Sequence, residues 1–189
     1  MTEPQSPSTL VVFAHPALER ARVNAALGEA AAAAPGVTFL DLYEVYPDFA
    51  VDVAAEQRRL AEHRVVVLQF PLYWYSSPAL LKEWQDLVWL PGFAYGEGGR
   101  GLQGKTLACA VSTHGRQSTY ELSYKRRFSL EEILRPFEQA AYLCGMEWAE
   151  PFASHASSLR EPGAMAGEAE RYRGWLAALA AAAAEPAAA

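Results

Sequence analysis

Residues 65–89, VVVLQFPLYWYSSPALLKEWQDLVW, constrain the fold more than any other stretch of the chain. The first six form a short apolar run rich in β-branched side chains, which reads as a strand covered on both faces, as in a parallel sheet. Pro71 ends it. Leu72, Tyr73, Trp74 and Tyr75 follow, and then Ser76 and Ser77 precede Pro78. That pairing predicts a helix start, with a serine hydroxyl capping free amides and the proline where no amide partner is needed. Leu80, Leu81, Trp84, Leu87 and Val88 give this helix, over 78–89, one apolar face. The three aromatics therefore sit on a turn between a strand's carboxyl end and a helix's amino end, where open α/β sheets bind ligands. Any one of them alone reads as a core or subunit-interface residue; three together at such a turn favour a planar cofactor.

The rest of the chain repeats the alternation. A strand over 9–14 runs into His15-Pro16, and the proline makes His15 a loop residue at the strand's carboxyl end. A helix over 20–34 is stopped by Pro35-Gly36. A strand over 37–42, a long loop YEVYPDFAVDV and a polar helix over 54–63 lead back to the central strand. Gly96, Gly98 and Gly101 match G-x-G-x-x-G in form, but they follow a helix and precede a strand, so they read as a mobile loop instead of a dinucleotide fingerprint. A strand over 106–112 ends at Ser112, with Thr113, His114 and Gly115 forming a second polar turn. After a mixed loop to about 127, Ser129 with Glu132 three residues on predicts a capped helix to residue 143. A fifth strand over 147–154 is interrupted by Pro151, which suggests a sheet edge. The last helix, over 164–184, is alanine-rich and anchored by Tyr172, Trp175, Leu176 and Leu179.

Five strands alternating with five helices give an α/β domain, a five-stranded parallel sheet with helices on both faces, spanning 9–184 between a disordered tail over 1–8 and a frayed tail over 185–189. The order 2-1-3-4-5 is the simplest that sets the loops after strands one, three and four around one crevice. The net charge of −6 argues against nucleic acid and against direct association with anionic membranes. The amino terminus has no basic region, and the apolar run after it is too short for a signal peptide or membrane span, so a cytoplasmic location is expected. Cys109 and Cys144 read as buried, unreactive thiols. The four histidines lack metal-ligand spacing, so no metal site is expected, and no nucleophile motif is present. His63 reads as a solvated helix end, and Lys125, Arg126 and Arg127 as a solvated face that could attract a phosphate.

With the three loops in view, AHP at 14–16, DLYEVYPDF at 41–49, QFPLYWYSSPALLKEW at 69–84, FAYGEGG at 93–99 and LCGMEW at 143–148 resemble the flavodoxin-like NAD(P)H:quinone oxidoreductases, including the ancillary flavoproteins of glutathione-regulated potassium-efflux systems. The resemblance covers about residues 10–179. It implies a flavodoxin-like fold, FMN as the cofactor with FAD as the alternative, NAD(P)H and a quinone as substrates, and a homodimer. It also implies a potassium-efflux membrane protein as a partner, which would hold the chain peripherally at the inner face of the membrane. By position, His15 and Asn24 would line the flavin phosphate, and Leu72, Tyr73, Trp74 and Tyr75 would hold the ring. Ser112, Thr113, His114 and Gly115 would line its pyrimidine end, with Tyr120 beside the hydride-transfer site and Tyr75 as a second catalytic candidate. The competing reading is a regulatory subunit with little or incidental catalysis. An electron-carrier flavodoxin fits less well, since such carriers are more acidic and lack the aromatic-rich loop.

Three positions depart from that pattern. Ala21 stands where the family usually has a serine for the phosphate, His114 and Gly115 where it usually has two glycines, and Lys125 near a histidine that some members carry downstream of the tyrosine. Arg22, or failing that Arg20, is expected to take over the serine's role, because a guanidinium binds phosphate through paired hydrogen bonds. Trp84, Trp89, Phe93 and Tyr95 are expected to form a two-fold interface.

Overall fold

The computed structural model describes residues 8–120, 128–159 and 161–184. The expected tails, apart from Ser8, and the basic run Lys125 to Arg127 lie outside them. The elements run β1 (Thr9–Phe13), α1 (Arg22–Ala32), β2 (Val37–Asp41), α2 (Leu42–Val45), α3 (Val53–Glu62), β3 (Val65–Pro71), α4 (Ala79–Val88), β4 (Thr106–Thr113), α5 (Leu130–Leu143), β5 (Glu147–Trp148), β6 (Phe152–His155) and α6 (Ala164–Ala184). All strand pairs are parallel, in the order β2-β1-β3-β4-β5, with β6 also paired to β4. The expected order 2-1-3-4-5 is therefore found, but the fifth strand is two. Its first piece pairs with Thr106 and Leu107, and its second runs beside residues 110–113 of the same neighbour. Pro151 lies between them.

Alternation along the strands divides the core, because successive side chains in a strand point to opposite faces. Leu10, Val12, Val66, Leu68, Phe70 and Val111 pack under α3, α4 and α5 with Leu60, Leu81, Trp84 and Phe137. Val11, Val65, Val67, Ala108 and Ala110 pack under α1 and α6 with Leu27, Tyr172 and Leu176. Each face alone accounts for only half of the strand's apolar residues, which is why β3 is apolar at nearly every position and buried throughout.

Four local expectations are corrected. The loop expected after β2 opens as α2, because Asp41 accepts hydrogen bonds from the amides of Tyr43 (3.0 Å) and Glu44 (3.3 Å) and so nucleates a helical turn directly at the strand's end. Helix α4 starts one residue late. Pro78 occupies the cap position and no serine hydroxyl caps the helix; the free amide of Leu80 instead donates to the Tyr43 hydroxyl at 3.3 Å. His63 is buried, its Nδ1 2.6 Å from the Arg59 carbonyl and its Nε2 2.7 Å from Thr38 Oγ1, so it bolts the end of α3 to β2. Trp84 and Trp89 are not interface residues: both are buried within the chain, edge to face at 6.5 Å.

Trp84 is tied to a carboxylate. Glu56 is wholly buried, accepting from Tyr46 Oη (2.8 Å), Trp84 Nε1 (3.1 Å) and Arg59 Nε (3.4 Å), and this knot joins the α2 region, α3 and α4 beneath the aromatic turn. Burial first, and the bond to Glu56 second, push the Tyr46 hydroxyl up to about 12. Replacing Glu56 by Ala leaves two buried donors unpaired, which is expected to lower the unfolding free energy by about 2–5 kcal/mol in urea titration. Because the folded value of Tyr46 lies above its ordinary 10, its contribution is in place below pH 10 and is lost as pH rises through about 12. That alkaline loss should be absent from Tyr46→Phe, and an unchanged alkaline profile in that variant would refute the assignment.

Candidate functional site

Parallel pairing brings the carboxyl ends of β1, β3, β4 and β6 side by side, and hydrogen bonds then join the loops that leave them. From β1, Ala14 donates its amide to the Gln69 carbonyl (2.9 Å), and the chain turns at His15. The His15 Nδ1 accepts the Ala17 amide at 3.1 Å, which leaves the ring proton on Nε2, 3.4 Å from the Tyr73 hydroxyl. The two rings meet edge to face at 6.0 Å. Burial holds the His15 imidazole below its ordinary pKa, against the opposing pull of Glu19, so it is a neutral strut between the loops after β1 and β3.

The second loop is built on the turn at 73–76. Tyr73 and Ser76 exchange both backbone hydrogen bonds at 2.9 Å, and the two residues between them, Trp74 (φ 47°) and Tyr75 (φ 67°), are left-handed. That is the backbone pattern of a tight two-residue turn that normally carries Asn-Gly. Two aromatic side chains hold it here at a cost of about 1–2 kcal/mol per residue. Trp74 is 93% exposed and Tyr75 55%. Leu72 is half-buried on the core, its amide bonded to the Ser112 carbonyl at 2.9 Å.

From β4, Ser112 Oγ accepts the Asn24 side-chain amide at 2.7 Å, tying α1 to the sheet. Asn24 is buried, and among the described residues its Oδ1 has no hydrogen-bond partner. Thr113 donates its hydroxyl to the Gly115 carbonyl at 3.2 Å, closing the next turn. His114 is exposed. Tyr120, half-buried, packs on His155 at 5.9 Å, and His155 Nδ1 lies 2.8 Å from Thr113 Oγ1. His155 was not anticipated from sequence. Its register opposite Thr113 is visible only once β6 is separated from β5.

The amino end of α1 completes the rim. Its cap residue is Ala21 and no side chain caps it, so the first-turn amides are left for another acceptor. Arg22 opens the helix and is exposed; Arg20 is exposed and 3.5 Å from Glu19. The structure thus joins His15, Asn24, Leu72, Tyr73, Ser112, Thr113, Gly115 and Tyr120 through direct bonds and packing, and leaves Arg22, Trp74, Tyr75 and His114 reaching outward. Hollows lie on both flanks: one of about 420 Å³ between α4 and α5 beside Tyr75, and one of about 930 Å³ beside Tyr120 and His155.

An uncapped helix end suits a phosphate, and a strand-end turn with amides and aromatic rings suits a planar heterocycle. The donor set of this site therefore fits FMN. A family model described as the flavodoxin-like fold matches residues 7–176. The glutathione-regulated potassium-efflux system ancillary protein KefG of Yersinia pestis (strain Pestoides F) is 41% identical over 172 residues, covering 91% of this chain and 94% of that protein. Among solved structures, the general stress protein 14 of Treponema denticola in complex with FMN is 37% identical, with a TM-score of 0.86 over 92% of this chain and 99% of that one. An NADPH-quinone reductase from P. pentosaceus is 33% identical, with a TM-score of 0.80 over 89% and 96%.

The strain in the aromatic turn is open to direct measurement. Trp74→Gly relieves one left-handed residue and gives up almost no packing, so without ligand the variant is expected to gain about 1 kcal/mol of unfolding free energy, net of its looser unfolded chain. A loss of stability would contradict the strain reading.

Proposed function

The chain belongs to the family of flavodoxin-like fold proteins, and from that premise we propose that it is an FMN-dependent NAD(P)H:quinone oxidoreductase acting at the carboxyl edge of its sheet. The observation that carries this reading is the turn at Trp74 and Tyr75, which keeps two strained residues beside an uncapped helix end in a chain similar to an FMN complex and to an NADPH-quinone reductase. Strain of this kind persists where a site uses it.

Bound here, the flavin supplies the hydride-accepting and hydride-donating centre. The residues of the chain bind and orient. The first-turn amides of α1, with the helix dipole behind them, take the terminal phosphate, and Arg22 adds a charged contact in place of a serine at Ala21. The backbone of residues 72–75 and the Thr113–Gly115 turn hold the ring edge, offering amides where negative charge develops on reduction. His15, neutral and bonded to Ala17 and Tyr73, ties the loops after β1 and β3 together without adding a charge. Tyr120 presents its hydroxyl beside the site of hydride transfer. Donor and quinone share one open face, and a second copy of the chain completes it. FAD remains the alternative ligand for the same pocket.

The similarity to KefG favours a second reading, a regulatory subunit whose flavin shapes a surface for a potassium-efflux membrane protein. Among the described residues no helix is long and apolar enough to cross a membrane. Co-purification with the transporter, combined with quinone turnover indistinguishable from free FMN, would favour this reading over the first.

The purified protein is expected to show flavin absorbance bands and to reduce quinones with parallel double-reciprocal plots, as a shared site requires. Intersecting plots would count against alternate occupancy of one face. Tyr120→Phe should lower kcat about 10- to 100-fold with little loss of flavin content, the range for one hydrogen bond to a charged group. Arg22→Ala should weaken FMN binding by about 1.5–3 kcal/mol, and adding Ala21→Ser should restore part of it. Unchanged affinity in Arg22→Ala would show that the arginine faces solvent and that the amides alone hold the phosphate.

A further inference from the structure

His155 ends β6, opposite Thr113 of β4 in the register of the sheet. Its contact with that threonine takes its direction from the hydroxyl's other bond. The Thr113 hydroxyl has one proton, and it is donated to the Gly115 carbonyl. The 2.8 Å contact between Thr113 Oγ1 and His155 Nδ1 therefore needs its proton from the imidazole. With that assignment Nδ1 carries the hydrogen, and in the neutral ring Nε2 is bare. The same ring supports Tyr120, centroid to centroid at 5.9 Å with 35° between the planes. One imidazole thus fixes a turn through its edge and a tyrosine through its face.

The surroundings keep this arrangement neutral. Burial lowers the affinity of His155 for a second proton and Arg171 adds to this, while Glu168 of α6 and a hydrogen bond to the Gly115 backbone oppose it. Arg171 is itself committed, to Glu168, to the Ala153 carbonyl at 2.6 Å and to the ring of Phe152, 3.9 Å below its guanidinium carbon. Neither charged group is therefore free to displace the threonine from Nδ1.

We propose that His155 is the positioning residue of the redox site, setting the Thr113–Gly115 turn through its Nδ1–H and the ring of Tyr120 through its π-face, so that flavin affinity and turnover depend on two different parts of one side chain. The inference rests on the flavin reading given above and adds to it a residue from the far edge of the sheet. It predicts a crossed response. Asparagine places a donor close to where Nδ1 stands but offers no ring; phenylalanine offers the ring but no donor.

In wild type, FMN affinity measured by fluorescence titration of flavin-stripped protein, together with quinone turnover, tests the functional reading itself. Against that baseline, His155→Phe should raise the FMN Kd about five- to tenfold, the effect of one lost hydrogen bond, and more than His155→Asn does. His155→Asn should lower kcat at saturating FMN about two- to tenfold, the range of an aromatic contact, and more than His155→Phe does. Equal losses in both variants on both measurements, or none in either, would overturn the proposal while leaving the functional reading intact. The tautomer gives a check that needs no flavin. In the long-range ¹H–¹⁵N spectrum of the ligand-free protein, Nδ1 of His155 should appear as the protonated nitrogen and Nε2 as the bare one, and the reverse assignment would overturn the proposal.

Discussion

Parallel pairing is the constraint from which the rest of this structure follows. A parallel sheet sends every strand's carboxyl end to one edge, and the register of β1, β3, β4 and β6 then sets Ala14, Pro71, Ser112, Thr113 and His155 along that edge from side chains far apart in sequence. Parallel strands need covered crossovers, so both faces of the sheet are dry and only the loops at its ends are available for chemistry. Backbone hydrogen bonding thus decides which side chains share that edge before any of them has a role.

Within that edge the site is held by neutral groups. His15 bridges to Tyr73, Asn24 to Ser112 through its amide nitrogen, and His155 to Thr113, and none of these bridges is an ion pair. Net positive character comes from the end of α1 and its exposed arginines. Such an arrangement favours an anionic, flat ligand, since amide dipoles stabilise negative charge without presenting a fixed counter-ion that must be desolvated.

The sheet order and most elements were legible in the sequence because strand hydrophobicity and the Ser129–Glu132 capping box are local signals. The errors fell where a residue's partner is distant. The strand expected over 37–42 and the loop after it give no sign that Asp41 caps a helical turn beginning at Leu42; the solvent expected around His63 is replaced by Thr38 on a neighbouring strand; the interface expected of Trp84 is replaced by Glu56 on another helix, which receives its N–H. In the site, the aromatic turn and the polar turn after β4 were visible, since both follow apolar strands directly. The left-handed backbone of Trp74 and Tyr75 was not, because nothing in their residue types requests it, and His155 was hidden by the division of the last strand.

The two ends of the sheet are fastened differently. At the amino end Ser8 accepts the amides of Arg64 and Val65, Lys105 Nζ reaches the carbonyls of Ala61 and His63, Thr106 bonds to Arg64, and Gly104 bonds to Gly145, so backbone crosses backbone from β1 to the edge strand. At the carboxyl end the bridges are mainly side chains, some of them long. The two ends therefore differ in what a substitution reaches: most fastenings of the base are backbone and survive a change of side chain, whereas those of the rim can be removed one residue at a time. A chain built this way can vary its rim in sequence while the framework that positions it is kept.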